Sequence, residues 1–197
     1  MYKLFPYKKN VDRTKLMFAD DCYYSITYYH HAKIISNIIK KNHGKNIKIV
    51  DMTSNVGGNT ISFGLSGFDV TAYEINKQTF EMLKNNVELY KLKNIKLING
   101  DSSNIEKKYD VYFIDAPWGG KTYKEKEKMS LFLGEKNICD IIIDITKSKF
   151  KGIYVKVPIN FDFDEFDKYI KNFNIKVHKI TNKKNKILYN IIEICSL

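Results

Sequence analysis

Short buried runs alternate with amphipathic helical stretches along most of the chain, and this alternation restricts the fold more than any other feature. Lys48-Ile49-Val50-Asp51, Val70 to Glu74, Ile95 to Ile98, Val111 to Ile114 and Ile153 to Val157 read as strands. Between them lie helical patterns. His30 to Lys41 carries Ile34, Ile35, Ile38 and Ile39 at helical spacing, and Asn59 to Ser66 closes on Gly67. Asn76 caps a helix bearing Phe80, Leu83, Val87 and Tyr90, and further helices span Glu135 to Thr146 and Asp164 to Phe173. Strands separated by helical crossovers run parallel, and a parallel sheet is covered on both faces. The last two strands, Ile175 to Ile180 and Ile187 to Ile194, are joined by the polar turn Asn182-Lys183-Lys184-Asn185 and form a hairpin. The expected fold is therefore α/β: a doubly wound, mostly parallel seven-stranded sheet with an antiparallel C-terminal hairpin that puts an antiparallel strand at its edge. Residues 1–27 read as an N-terminal arm and 28–197 as one domain, long enough to bury a sizeable core.

Charge narrows the partners. Lys and Arg number 33 against 22 Asp and Glu, a formal charge of +11, which favours a polyanion such as RNA or DNA. Lys, Asn and Ile are all abundant, so part of the lysine excess reflects compositional drift. Cys22, Cys139 and Cys195 are odd in number and widely spaced, with no CxxC pair, which suits a reducing compartment and argues against a disulfide framework or a zinc site. No stretch approaches the roughly 20 apolar residues of a membrane span, and the N-terminus lacks the apolar run of a secretory signal. The expected residence is intracellular, in cytoplasm or nucleus, with no membrane partner and no metal.

Two segments carry chemistry. After the first strand comes Asp51-Met52-Thr53-Ser54-Asn55-Val56-Gly57-Gly58-Asn59-Thr60, a glycine turn opening a helix, where such sheets bind cofactors. Asn55 stands where a dinucleotide-type turn would have its first glycine, which weighs against NAD and FAD. Glu74 ends the second strand, about 20 residues beyond Asp51, at the offset of a ribose-binding acid. Asp101 follows the third strand, suited to accept from an adenine amino group. The second segment is Tyr112-Phe113-Ile114-Asp115-Ala116-Pro117-Trp118-Gly119-Gly120. A strand running into an acid, a proline and an aromatic ring suits methylation of an exocyclic base amine. The carboxylate and a backbone carbonyl each accept one N–H, Pro117 stiffens the backbone, and Trp118 offers a stacking platform. With that motif beside it, the expected cofactor is S-adenosyl-L-methionine.

These residues resemble the trimethylguanosine synthase family, the cap-guanine N2-methyltransferases of Rossmann-like class I type. The family's Val-Gly-Gly-Asn-Thr-Ile run stands here as Val56-Gly57-Gly58-Asn59-Thr60-Ile61. Its Ser-Pro-Pro-Trp-Gly-Gly signature, Asp-Pro-Pro-Trp in some members, is similar to Asp115-Ala116-Pro117-Trp118-Gly119-Gly120. Looser matches are Tyr24-Ser25-Ile26-Thr27-Tyr28-Tyr29 and Val157-Pro158-Ile159-Asn160. The resemblance implies that Thr27, Asp51, Asn55, Gly57, Asn59, Glu74, Asp101 and Asp115 hold S-adenosylmethionine. It implies Asp115, Pro117 and Trp118 as the catalytic set framing the acceptor amine. Ser25, Trp118, Lys121, Lys156 and Asn160 would face the substrate, an RNA with an m7G cap, and Lys121, Lys124 and Lys156 would meet its phosphates. A 7-methylguanine is cationic, so stacking on indole gains a cation–π contribution. Departures stand beside the matches: Ala116 replaces the first proline, Tyr28 another, and Ile159 an arginine, and the family's N-terminal substrate-covering region is expected to be shortened or missing.

Rival readings stay open. Asp-x-Pro-Trp also serves adenine N6 or guanine N2 at internal RNA or DNA positions. Ala116 and Asn55 suit a catalytically silent RNA-binding subunit. His30 and His31 read as capping or surface residues. Phe161, Phe163, Phe166, Tyr169 and Phe173 read as core packing ahead of an RNA-stacking stripe. Asp140 and Asp144 form an acid pair without metal-ligand neighbours. Tyr2, Phe5, Tyr7, Lys8 and Lys9 either clamp RNA or cover an edge of the sheet.

Overall fold

A computed structural model of the chain describes residues 3–170 and 173–195, with the side chains of Asp21, Tyr24 and Lys121 outside the description. It contains two compact units, 1–102 and 103–197. The first holds α1 (Asp20–Ser25), α2 (Tyr29–His43), β1 (Lys48–Asp51), α3 (Gly58–Leu65), β2 (Asp69–Glu74), α4 (Lys77–Leu89) and β3 (Ile95–Asn99). The second holds β4 (Val111–Ile114), β5 (Phe132–Leu133), β6 (Lys136–Asn137), α5 (Ile138–Thr146), β7 (Gly152–Val157), α6 (Phe163–Tyr169), β8 (Asn174–Thr181) and β9 (Ile187–Cys195). The described residues form a seven-stranded, mostly parallel sheet of order β3-β2-β1-β4-β7-β9-β8 with flanking helices. The expected α/β class holds.

In the first unit β1, β2 and β3 are parallel neighbours, with Val50 opposite Thr71 and Ala72 opposite Leu97. α2 buries Ala32, Ile35 and Ile39 at helical spacing and stops at Gly44, whose N–H reaches Lys40 O at φ 77°. The Asn76 cap is in place, its side chain accepting from Thr79 N–H at 3.0 Å.

The N-terminal segment is part of this unit's packing. Leu4, Phe5, Leu16, Cys22 and Ile26 share one buried cluster with Val56, Ile61, Leu83, Val87 and Tyr90. Tyr90 Oη donates to Pro6 O at 2.5 Å, and Lys8 Nζ to Tyr90 O at 2.6 Å. Burial pushes the Tyr90 hydroxyl up to about 12. Phe5 and Lys8 therefore serve internal packing rather than an RNA clamp; Tyr7 is exposed, and Tyr2 lies outside the described residues. The short helix α1 was not expected, because its apolar contacts come from residues far away in sequence.

In the second unit β4 and β7 are parallel and buried along their whole lengths. β9 runs antiparallel to both β7 and β8. The antiparallel hairpin ends the sheet as expected, with β9 one place in and β8, paired antiparallel to it, at the edge. The reason is apolar content. β9 is buried from Tyr189 to Ile194, whereas β8 is exposed over most of its length and carries Lys176 and Lys179, charges suited to an unpaired edge. α5 starts at Ile138, not Glu135, because Gly134 at φ 59° turns the small β5–β6 hairpin first and Asn137 then caps the helix. α6 ends at Tyr169, with Phe166 and Phe161 buried as core packing and Tyr169 half-exposed.

Candidate functional site

In the first unit the residues of interest lie at the carboxyl ends of β1, β2 and β3. Between Asp51 and α3 the backbone turns through left-handed conformations at Asn55 (φ 48°) and Gly57 (φ 103°). Asparagine is one of the few non-glycine residues that adopt this region, so Asn55 meets the backbone need of the glycine it replaces. Its N–H donates to Glu74 Oε2 at 2.9 Å and its Oδ1 accepts from Val56 N–H at 2.6 Å. Glu74 Oε1 accepts from Asn76 N–H at 2.9 Å, so two backbone amides orient this carboxylate. Gly58 has no room for a side chain: a Cβ would lie 2.7 Å from Thr27 O and 2.8 Å from Ile26 Cγ1.

Asp51 is fully buried, and its carboxylate accepts from Thr60 Oγ1 at 2.6 Å and from Thr53 N–H at 3.3 Å. It braces the turn against α3. Asn86, also fully buried, donates to Val56 O at 2.9 Å and Met17 O at 2.8 Å and accepts from Met17 N–H at 2.8 Å. One amide thus ties the turn to α4 and to the N-terminal segment. Asn59, 6% exposed, donates through Nδ2 to Thr27 Oγ1 at 3.0 Å, while its Oδ1 has no hydrogen-bond partner among the described residues. Asp101 and Ser25 are exposed. A buried orphan acceptor, two carboxylates at strand ends and a turn stripped of side-chain bulk suit a ligand that brings hydrogen-bond donors. The ammonium, ribose hydroxyls and adenine amine of S-adenosylmethionine are such donors, so the residues fit that group.

In the second unit Asp115 follows β4 directly. The β4–β7 register pairs Ile114 with Val155, so the next step sets Asp115 beside Lys156. Lys156 Nζ lies 2.8 Å from Asp115 Oδ2, and the lysine is only 6% exposed. The same ammonium sits over two rings, 5.2 Å from the Trp118 centroid and 4.9 Å from that of Tyr189. Trp118 meets Tyr123 and Tyr189 edge-on at 5.2 and 6.2 Å. It is half-buried, and its Nε1 is buried without a hydrogen-bond partner among the described residues. Burial first, and the Asp115 charge second, push the Tyr189 hydroxyl well above its ordinary range; burial also raises Tyr123.

Around this cluster, Gly119 and Gly120 take φ 82° and 76° and lead into a 3-10 helix, Gly120–Glu125. Asn160 donates to Tyr123 O at 2.8 Å and Lys126 O at 2.7 Å, and its buried Oδ1 has no hydrogen-bond partner among the described residues. Pro117 and Ile159 are exposed and Ala116 is buried.

The structure moves two expected substrate residues. Lys156 was expected at the mouth, meeting phosphate; it is buried on Asp115, because β7 is enclosed throughout and an ammonium there requires a counter-charge. Asn160 commits its Nδ2 to backbone carbonyls. Lys121 has its side chain outside the described residues, and Lys124 sits 5.7 Å over the Tyr123 ring. Sequence reading missed Tyr189 and Asn86. A lone tyrosine in an aliphatic strand was a signal for the first; nothing in a polar stretch of α4 marked the second. His31 is buried and stacked on Tyr28 at 6.4 Å, and Asp144 pairs with Lys147 at 2.9 Å, so both take structural roles.

Residues 46–195 match the family described as RNA cap guanine-N2 methyltransferase. The chain belongs to this family. It is also 30% identical over 202 residues to uncharacterized protein L320 of Acanthamoeba polyphaga mimivirus, covering 87% of this chain and 78% of that one. Among solved structures, precorrin-6y C5,15-methyltransferase from Geobacter metallireducens superposes with TM-score 0.65 at 13% identity over the whole of both chains. The tRNA (m1A58) methyltransferase of Aquifex aeolicus gives 0.64 at 13%, covering 88% of this chain and 70% of that one. An O-methyltransferase from Bacillus cereus, in complex with SAH, gives 0.63 at 11%, covering 87% and 83%. The enzyme is thus an S-adenosylmethionine-dependent RNA methyltransferase of class I fold. Among the described residues no group of His, Cys, Asp and Glu is placed to hold a metal ion, and no helix is long and apolar enough to cross a membrane.

Proposed function

We propose that the enzyme methylates the exocyclic N2 amine of guanine in RNA, with the N7-methylated cap guanine as acceptor. The observation that carries this reading is the Asp115, Trp118, Tyr189 and Lys156 cluster at the end of β4, in a chain of this family. An aryl amine is a weak nucleophile because its lone pair is delocalised into the ring. Asp115, held by Lys156, accepts one N–H, and a backbone carbonyl of the Ala116-Pro117 segment accepts the other. That pairing orients the lone pair, and the half-buried Trp118 supplies the stacking surface. Thr27, Asn55, Gly57, Asn59, Glu74 and Asp101 hold S-adenosylmethionine, while Asp51 acts through Thr60 to brace the turn. Bound there, the cofactor supplies a methyl group on a sulfonium. The amine proton leaves to water, so no catalytic histidine is required.

The test is transfer of labelled methyl to m7GpppA, GpppA and uncapped RNA, with the product located by mass spectrometry. The expected result is guanine-N2 methylation of m7GpppA, reduced by about 100-fold or more in Asp115→Ala and Trp118→Ala, the scale of losing transition-state contacts. Methylation confined to adenine or to uncapped RNA would replace this reading with the internal-base alternative, whose amines the Asp115-Ala116-Pro117-Trp118 motif also serves. Absence of cofactor binding by calorimetry would indicate a silent subunit.

A further inference from the structure

Resting on the acceptor reading of Asp115 and Trp118, we infer that Lys156 is a positioning residue for methyl transfer, acting through Asp115 and the ring pair and not through phosphate. Lys156 is the only lysine or arginine in the buried set among the described residues. It occupies a strand whose other positions, Gly152, Ile153, Tyr154, Val155 and Val157, are equally enclosed. Removing an ammonium from water costs several kcal/mol, and the pair it forms is commonly no more stabilising than packed apolar side chains of similar volume. A β-branched residue would serve this strand better on stability alone. The charge therefore points to the site.

The geometry defines its work. One ammonium contacts three groups: the Asp115 carboxylate at 2.8 Å, the Trp118 ring and the Tyr189 ring. Fixing Asp115 Oδ2 sets the rotation of the carboxylate, and with it the direction in which its remaining lone pairs accept. A carboxylate only accepts hydrogen bonds, which is what a donating amine needs. The cation–π contacts couple the carboxylate to the planes of Trp118 and Tyr189. Tyr189 lies on the same face of the sheet as Lys156, two places along β9 from its cross-strand partner Ile191. Acceptor and stacking platform are thus set by one cation contributed by a third strand. A lysine enclosed this way has no free ammonium to offer a phosphate.

The test compares Lys156→Met, Lys156→Arg, Asp115→Asn and the Lys156→Met/Asp115→Asn double variant in the full chain. It measures kcat and KM on m7GpppA and S-adenosylmethionine affinity by calorimetry. Trp118 is the chain's single tryptophan, so its emission reports on the site directly. Lys156→Met should lower kcat by about 30-fold, with KM within about threefold, cofactor affinity kept and Trp118 emission shifted. Lys156→Arg should recover most of the loss. The double variant should be no worse than Asp115→Asn alone, since a residue acting through another is non-additive with it. The double variant leaves no unpaired buried charge, so it decides the matter even if Lys156→Met fails to fold. A salt-dependent rise in KM at constant kcat would return Lys156 to phosphate binding and overturn the inference, as would losses that multiply in the double variant. Failure of the guanine reading looks different: the wild-type enzyme would methylate another base, and the four variants would then be compared on that base.

Discussion

Asn59 concentrates the cofactor argument in one atom. A carbonyl oxygen enclosed in the first turn of α3 without a partner costs about 1–3 kcal/mol relative to a satisfied one, and proteins rarely leave such a group unmet unless a ligand meets it. Its amide nitrogen is already used on Thr27, so the side chain cannot turn over to hide the oxygen without losing that bond. Asn59→Ala should weaken S-adenosylmethionine binding about tenfold by calorimetry while leaving the melting temperature nearly unchanged, because removing an orphan acceptor removes its desolvation cost too. Unchanged affinity would assign Asn59 to packing alone. The same logic explains Asn55: the residue that counted against a dinucleotide-type turn is the non-glycine side chain best able to keep the turn's left-handed backbone.

At the level of elements, the β1–α3 turn is held from three sides: by Asn86 from α4, by Glu74 from β2 and by the Thr27 backbone against Gly58. Gly58→Ala places a methyl group against main chain that cannot rotate away. The variant should lose about 1–3 kcal/mol in denaturant unfolding, the usual cost of overpacking, together with most cofactor affinity. An effect on affinity alone would mean that the Thr27 segment moves freely. Elements specified by their own pattern were legible in the sequence. Val111 to Ile114 and the Asn76-capped helix stand where periodicity puts them, because a fully buried strand and a capped amphipathic helix are local statements. What depended on partners distant in sequence was not legible. The α1 helix rests on a cluster with Leu83 and Tyr90, the inner place of β9 depends on its contrast with β8, and the Lys156–Asp115 pair needs the β4–β7 register. Lys156 in a run of apolar residues was visible. That the run was enclosed at both ends was not.

Charge belongs to the whole chain. Lys156 and Asp115 cancel each other inside the fold, so the formal +11 is carried by the remaining residues and affinity for a polyanion rests on the exposed lysines. RNA longer than a cap dinucleotide then gains binding through counterion release, a contribution that scales with the number of phosphates neutralised, at a slope of about 0.7 per contact for single strands. The dinucleotide, seated by stacking and by hydrogen bonds to Asp115, carries few such contacts. Raising salt from about 50 to 200 mM should therefore raise KM for capped RNA of about 20 nucleotides by tenfold or more, as expected for a few phosphate contacts. KM for m7GpppA should change by less than about threefold, and kcat should hold for both. Steady-state kinetics over that range provides the check. If both values of KM rose together, the charge would be acting at the acceptor site itself; if neither rose, the lysine excess would reflect composition and not RNA binding.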